Sequence, residues 1–231
     1  ADRMGLKLFG IFVIRRIDMK YKEFDVPLTK NPSIKMKVVP GHFTTNSFHL
    51  THYLDLNNLK SNAVVAREVA RELALPYLTT TSVDTIVCME GTEVIGAYMA
   101  EELLQKGTSF AEVDRQINVV VPVSNVYRKL MFQHDMQELI DNRNIILLLS
   151  SISSGASLNS ALECLRYYGG RVVGISTLFN AYPDQFEQKI HTMFTSKDIP
   201  DYKLYSPNNC PICSEGRKLD AIIIHDGYLK I

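Results

Sequence analysis

An α/β protein is expected, built on a parallel sheet flanked by helices, with a small N-terminal lobe and an irregular C-terminal extension. Three features of the sequence point to it. Residues 145–149 (Ile-Ile-Leu-Leu-Leu) form an apolar run of the right length for a strand buried on both faces. A small-residue turn follows it, then a helix-spaced segment and a second strand. Strand-like and helix-like stretches alternate from residue 85 to residue 178, whereas residues 1–60 have a different texture.

The elements can be justified in order. Residues 1–60 mix short β-like runs at 9–14 and 34–39 with Pro27, Pro32, Pro40 and Gly41, which describes a small lobe with little helix. From Asn62, the positions Val65, Val69 and Leu73 share one helical face, and Pro76 ends the run. Residues 85–89 are a strand, Val94, Ile95, Tyr98, Met99 and Leu103 mark a helix closed by Gly107, and residues 117–123 are another strand. Residues 124–141 are long for an α/β connection, which is typical of lids and partner-binding elements. After the strand at 145–149, Leu158, Ala161, Leu162 and Leu165 make a helix that Gly169-Gly170 stops, and residues 171–178 are the next strand. The chain is irregular from Asn180 and ends in a β-like run at 221–225 and a turn at Asp226-Gly227. The organisation is therefore an N-terminal lobe at 1–60, an α/β core at 61–180 and an extension at 181–231 packing on the core.

Composition narrows the function classes. Lysine plus arginine equals aspartate plus glutamate at 25 each, so no global charge favours nucleic acid or an anionic membrane. No apolar run is long enough to span a bilayer. Residues 6–14 are interrupted by Lys7 and followed by Arg15-Arg16, which reads as a strand rather than a secretory signal. Four cysteines with a single close pair do not make a disulfide scaffold. A soluble cytoplasmic protein is expected.

The turn Ser153-Ser154-Gly155-Ala156-Ser157 sits between a buried strand and a helix. Unpaired N–H groups converge at such a helix start, and the helix dipole favours a phosphate dianion. The same composition also describes a plain serine-capped turn. Aligned on Gly155, the segment resembles the phosphoribosyl-pyrophosphate motif of type I phosphoribosyltransferases: an apolar strand, two acidic residues, two apolar residues and a hydroxyl-rich loop. Ser151-Ile152 take the second pair and Ser153, Ser154, Gly155 and Ser157 the loop, but the acidic pair falls on Leu149 and Ser150, or on Ser150 and Ser151 after a one-residue slide. The resemblance implies a parallel sheet with a hood lobe, binding of phosphoribosyl pyrophosphate or a nucleoside monophosphate, magnesium with the pyrophosphate, a nucleobase-like partner and a homodimer. In that family the carboxylates accept bonds from the ribose hydroxyls beside a developing cationic charge. Serine can hydrogen-bond a sugar, but neither serine nor leucine stabilises that charge electrostatically.

Two further segments are similar to the orotate branch. Ser47 and Tyr53-Leu54-Asp55 match the hood segment that faces the base, with Phe48 where a glycine is usual. Glu90, Gly91 and Thr92 would form the pyrophosphate loop, with Gly96 and Ala97 allowing close helix–sheet approach. The long insert corresponds to the catalytic loop, in which Arg128 and Lys129 match the family's basic pair and the later lysine is missing. Arg128 and Lys129 can pair with pyrophosphate oxygens. Met131, Phe132, Met136, Leu139 and Ile140 are apolar for a solvated lid, so a packed helix or a dimer contact is the competing expectation.

Cys210-Pro-Ile-Cys213 has the spacing of a zinc knuckle, yet no second pair exists. His191 or His225, or a second chain, would have to complete a site. His49 and His52 read as surface or hood histidines, and Cys88 and Cys164 as buried core residues. Three functions stay open: a phosphoribosyltransferase acting on a pyrimidine-like base, a catalytically inactive sensor of a nucleotide or phosphoribosyl ligand, and a protein-assembly module.

Overall fold

The computed structural model describes residues 22–107, 116–127, 129–186, 188–224 and 227–231. The expected strand at 9–14, Arg128, His225 and Asp226 lie outside the described residues.

Strand β1 (Phe24–Pro27) pairs antiparallel with β2 (Lys35–Thr44), which turns through residues 45–48 into β3 (His49–Asp55). Strand β2 is longer than the apolar run suggested. It passes through Pro40, and the register with β3 shifts between Pro40 and Phe43, where a missing N–H can be tolerated. Helix α1 (Asn57–Ser61) leads into α2 (Ala63–Ala74), which starts where the Asn62 side chain accepts from the N–H groups of Val64 and Val65. Strand β4 (Thr85–Cys88) and helix α3 (Glu93–Lys106) follow, and the Gly107 N–H closes α3 on the Leu103 carbonyl. Gly96 does permit close approach, because a Cβ there would collide with the Cys88 sulfur, whereas Ala97 faces outward.

The strand expected over 117–123 is split into β5 (Asn118–Val120) and β6 (Val123–Ser124). Pro122 cannot donate to a ladder, and β5 is a sheet edge. Strand β6 pairs with β7 (Leu130–Met131), so the insert begins as a β-hairpin and continues as a 3-10 turn (His134–Leu139). It is packed, as a hairpin followed by a short 3-10 helix rather than as an α-helix. Phe132 and Ile140 are buried, while Val126 and Tyr127 at the hairpin tip are exposed.

Strand β8 (Asn144–Ile152), helix α4 (Ala156–Tyr167) and strand β9 (Arg171–Asn180) form the expected central unit. Strand β10 (Ile190–Thr195) extends it, followed by β11 (Leu204–Tyr205), the short helix α5 (Pro211–Ser214), β12 (Ala221–Ile224) and β13 (Gly227–Lys230).

Two main sheets result. One is fully parallel with the order β10-β9-β8-β4-β5. The other has the order β11-β3-β2-β12-β13, with β1 also on β2. Strands from the end of the chain thus flank the N-terminal hairpin, and β12 runs parallel to β2.

The run at 145–149 is wholly buried, and its side chains alternate between two cores. Ile146 and Leu148 join the core under α2, α3 and the hood, whereas Ile145, Leu147 and Leu149 join the core under α4 and the insert. Each such side chain contributes about 1.5–3 kcal/mol by leaving water. Among the described residues, no helix is long and apolar enough to cross a membrane.

Candidate functional site

Ligands of open α/β sheets bind beyond the carboxyl ends of the strands. Here β8 ends at Ile152 and the chain turns through Ser153, Ser154 and Gly155 into α4. Gly155 has φ +79°, a left-handed conformation that suits glycine, and its hydrogen side faces the Phe186 ring. The Ser154 hydroxyl accepts from the Ala156 N–H at 3.3 Å. Among the described residues, the N–H groups of Gly155 and Ser157 have no protein acceptor. Ser154 and Ser157 are exposed, Ser153 is half-buried and Ser150 is buried within β8. The turn therefore offers free donors at a helix start, as an oxyanion site requires.

A cavity of ≈ 620 Å³ opens beside it. Ser153 and Ser154 form one wall, Tyr182, Asp184 and Lys197 another, and Phe48 at the tip of the β2–β3 hairpin a third. The Lys197 ammonium is held by the Asp184 carboxylate at 2.7 Å.

The turn after β4 lies alongside. Glu90 and Gly91 are both left-handed, with φ 59° and 79°. Thr92 is fully buried, and its hydroxyl donates to the Met89 carbonyl at 2.9 Å, fixing the turn against β4. Two charged groups converge here. The Glu90 carboxylate accepts from the Ser151 N–H at 3.4 Å, so it reaches the mouth of β8. Lys60, 9% exposed over the whole residue, donates from its ammonium to the Glu90 carbonyl at 2.9 Å and brings it 3.4 Å from where a Gly91 side chain would begin. Among the described residues, no carboxylate pairs with Lys60. A buried ammonium without a counter-ion is costly unless an anion joins it.

The remaining sequence-derived residues lie further out. Ser47 is exposed at the hairpin tip, where its N–H donates to the Thr45 hydroxyl. Tyr53 is buried against Tyr228, with ring centroids 4.8 Å apart, and burial pushes its phenol up to about 12. The Asp55 carboxylate accepts from the Asn57 N–H at 3.0 Å, at the start of α1. Lys129 is exposed beyond the insert's tip, its N–H donating to the Asn125 side chain at 3.0 Å. Lys60 escapes a sequence reading because nothing near residue 60 resembles a site. Only the fold brings α1 to the turn at 90–92.

A second cluster forms in the hood. Cys210 and Cys213 stand against His42 of β2 and His49 of β3, and their four ligand atoms lie within 4.8 Å of one another. His191, by contrast, lies on β10 with its ring against Tyr77, at 5.1 Å between centroids. The usable signal was two histidines on either side of a short hairpin turn, which places them side by side on neighbouring strands. Cys88 and Cys164 are buried in the core as expected, and burial pushes the Cys88 thiol up to about 12.

No family model matches the chain. It is similar to an orotate phosphoribosyltransferase of Sulfurimonas denitrificans, with 24% identity over 195 residues, 78% of this chain and 89% of the relative. An orotate phosphoribosyltransferase of Caldanaerobacter subterraneus subsp. tengcongensis is 25% identical over 186 residues, 79% of this chain and 88% of the relative. Among solved structures, Leishmania donovani UMP synthase superposes with a TM-score of 0.51 at 19% identity. That match covers 69% of this chain and 34% of the synthase, so the chain corresponds to about a third of that protein. The expected resemblance to type I phosphoribosyltransferases of the orotate kind thus stands, at low identity. The expected parallel-sheet α/β fold stands with it.

Proposed function

We propose that this orotate phosphoribosyltransferase-like chain binds a ribose 5-phosphate ligand, phosphoribosyl pyrophosphate or a nucleoside monophosphate, at the mouth of β8. The observation that carries the reading is the pair of N–H groups at Gly155 and Ser157 that, among the described residues, have no protein acceptor, at the start of α4 just after β8. They would hold the 5-phosphate together with the hydroxyls of Ser153, Ser154 and Ser157. The turn Glu90–Gly91–Thr92 with Lys60 behind it would receive the pyrophosphate, giving the buried ammonium its missing anion. A base would enter the cavity beneath Phe48.

In orotate-type transfer, the bond between the anomeric carbon and the pyrophosphate oxygen breaks and pyrophosphate leaves with the electron pair. A base nitrogen then bonds to that carbon. The family's acidic pair is absent: Leu149 and Ser150 stand in its place, and both are buried. Glu90 brings one carboxylate to the same mouth from the neighbouring strand, and in this proposal it faces the ribose hydroxyls and the developing positive charge. Magnesium is usually held by one or two carboxylates and the substrate's own phosphates, so Glu90 fits that role. The ion would neutralise the leaving pyrophosphate.

A second reading is favoured by the apolar, buried Leu149: the ligand binds without turnover and the chain acts as a sensor. Labelled phosphoribosyl pyrophosphate with orotate and magnesium separates the two. Pyrophosphate release supports the transferase, and saturable binding without release supports the sensor. No affinity for any 5-phosphorylated ribose overturns both and leaves an assembly role. A homodimer belongs to the same proposal and is checked by light scattering.

A further inference from the structure

The cluster in the hood has its own geometry, separate from the phosphate turn. His42 Nε2 lies 3.2 Å from His49 Nδ1, 3.5 Å from the Cys210 sulfur and 3.7 Å from the Cys213 sulfur. His49 Nδ1 lies 3.3 Å from the Cys213 sulfur. A tetrahedral zinc ion with nitrogens at about 2.05 Å and sulfurs at about 2.3 Å separates its ligand atoms by roughly 3.3–3.8 Å. These four separations, from 3.2 to 3.7 Å, lie close to that spacing, and all the ligand atoms stay within 4.8 Å of one another.

The surroundings also fit a metal. His42 Nδ1 is 3.2 Å from the Lys218 carbonyl, which can only accept, so Nδ1 carries the proton and Nε2 turns its lone pair inward. The backbone of His42 is fixed on both sides, its N–H donating to the Asp220 carboxylate at 2.7 Å and its carbonyl accepting from the Asp220 N–H at 2.7 Å. His42, His49 and Cys210 are buried, with Cys213 closing the cluster from the solvent side. Two thiols and two imidazoles leave no open coordination position, which is the donor set of a structural zinc site.

We infer that His42, His49, Cys210 and Cys213 bind one zinc ion that fastens the Cys-x-x-Cys turn to the hood hairpin. The ion joins β2 and β3 to a turn some 170 positions later in the chain, beside the strand β12 that pairs with β2. The hairpin it steadies carries Phe48, the roof of the cavity at the phosphate turn. The inference holds whether or not that cavity binds a phosphoribosyl ligand.

The test uses the full chain, stripped of metal under reducing conditions and titrated with cobalt(II) alone. The expected result is the intense visible spectrum of a tetrahedral cobalt dithiolate, saturating at about one equivalent and displaced by zinc. Elemental analysis of the protein as purified should show about one zinc per chain. Cys213→Ser, at the solvent side, should weaken cobalt binding at least tenfold and cut the sulfur charge-transfer band to about half, the share of Cys210, and Cys213→His should restore binding with the band still at that reduced strength. A weak octahedral cobalt spectrum, no saturation, or metal retained unchanged by Cys213→Ser would overturn the inference. So would a Cys210–Cys213 disulfide forming in air with zinc present, because ligated thiolates would be protected. The wild-type spectrum decides the matter even where a variant fails to fold.

Discussion

Lys60 makes the sharpest single-residue test, because among the described residues its ammonium has a carbonyl partner but no carboxylate. Lys60→Met keeps the length of the side chain and removes an unpaired buried charge, so thermal stability should hold or rise. Affinity for inorganic pyrophosphate, measured by calorimetry, should fall about ten- to a hundredfold, since hydrogen bonds to charged groups contribute roughly 1.5–3 kcal/mol. Equal affinity in the variant would remove Lys60 from the site. Gly155→Ala places a side chain at φ +79° against Phe186. It should cost about 1–2 kcal/mol in urea unfolding and weaken phosphate binding with it. His52 supplies a pH test. Burial among Phe24 and Tyr202 holds its imidazole below the ordinary 6.5, against a smaller upward pull from Asp201. The unfolded chain then takes up a proton as the pH falls through 6.5 while the folded chain lags, so stability declines on acidification. Melting curves at about pH 7.5 and pH 5.5 should show a larger drop for the wild type than for His52→Gln.

Phe132 ties the insert to the sheet core. It is 2% exposed and meets Tyr168 edge-on at 5.4 Å between centroids. Phe132→Ala should lose about 3–5 kcal/mol, whereas Tyr127→Ala at the exposed tip should lose almost nothing. Chemical denaturation of the two variants checks the contrast. The insert also shows where a sequence stops being readable. The unit β8–α4–β9 is legible because burial on both faces forces an uninterrupted apolar run, and helical spacing follows directly. Strand β10 is not legible, because as an edge strand it is mostly half-buried and its composition resembles a loop. The insert's apolar residues announce packing, but period alone does not separate a hairpin with a 3-10 turn from a helix. The phosphate turn is local and could be read from adjacent residues. Lys60 beside Gly91, and His42 beside Cys210, are brought together by tertiary structure and leave no mark on any one stretch of sequence.

The two sheets share one continuous core, in which hood residues such as Met36 and Phe43 join Ile146, Leu148 and Leu178. The hood and the parallel sheet should therefore unfold together, in one calorimetric transition. With free zinc a thousandfold above the dissociation constant, the inferred metal adds about 4 kcal/mol to that transition, so a chelator should lower the melting temperature. Strand β2 sits between β3 and β12, and β12 comes from residues 221–224. During vectorial synthesis, β1 can cover that edge of β2 over Lys35–Val38 at once, but Phe43 and Thr44 wait for a neighbour translated roughly 180 codons later, long after the core strands have emerged. Until then the nascent hood keeps a short stretch of unsatisfied backbone edge at the end of β2, the kind of surface that chaperones hold and that aggregates grow on.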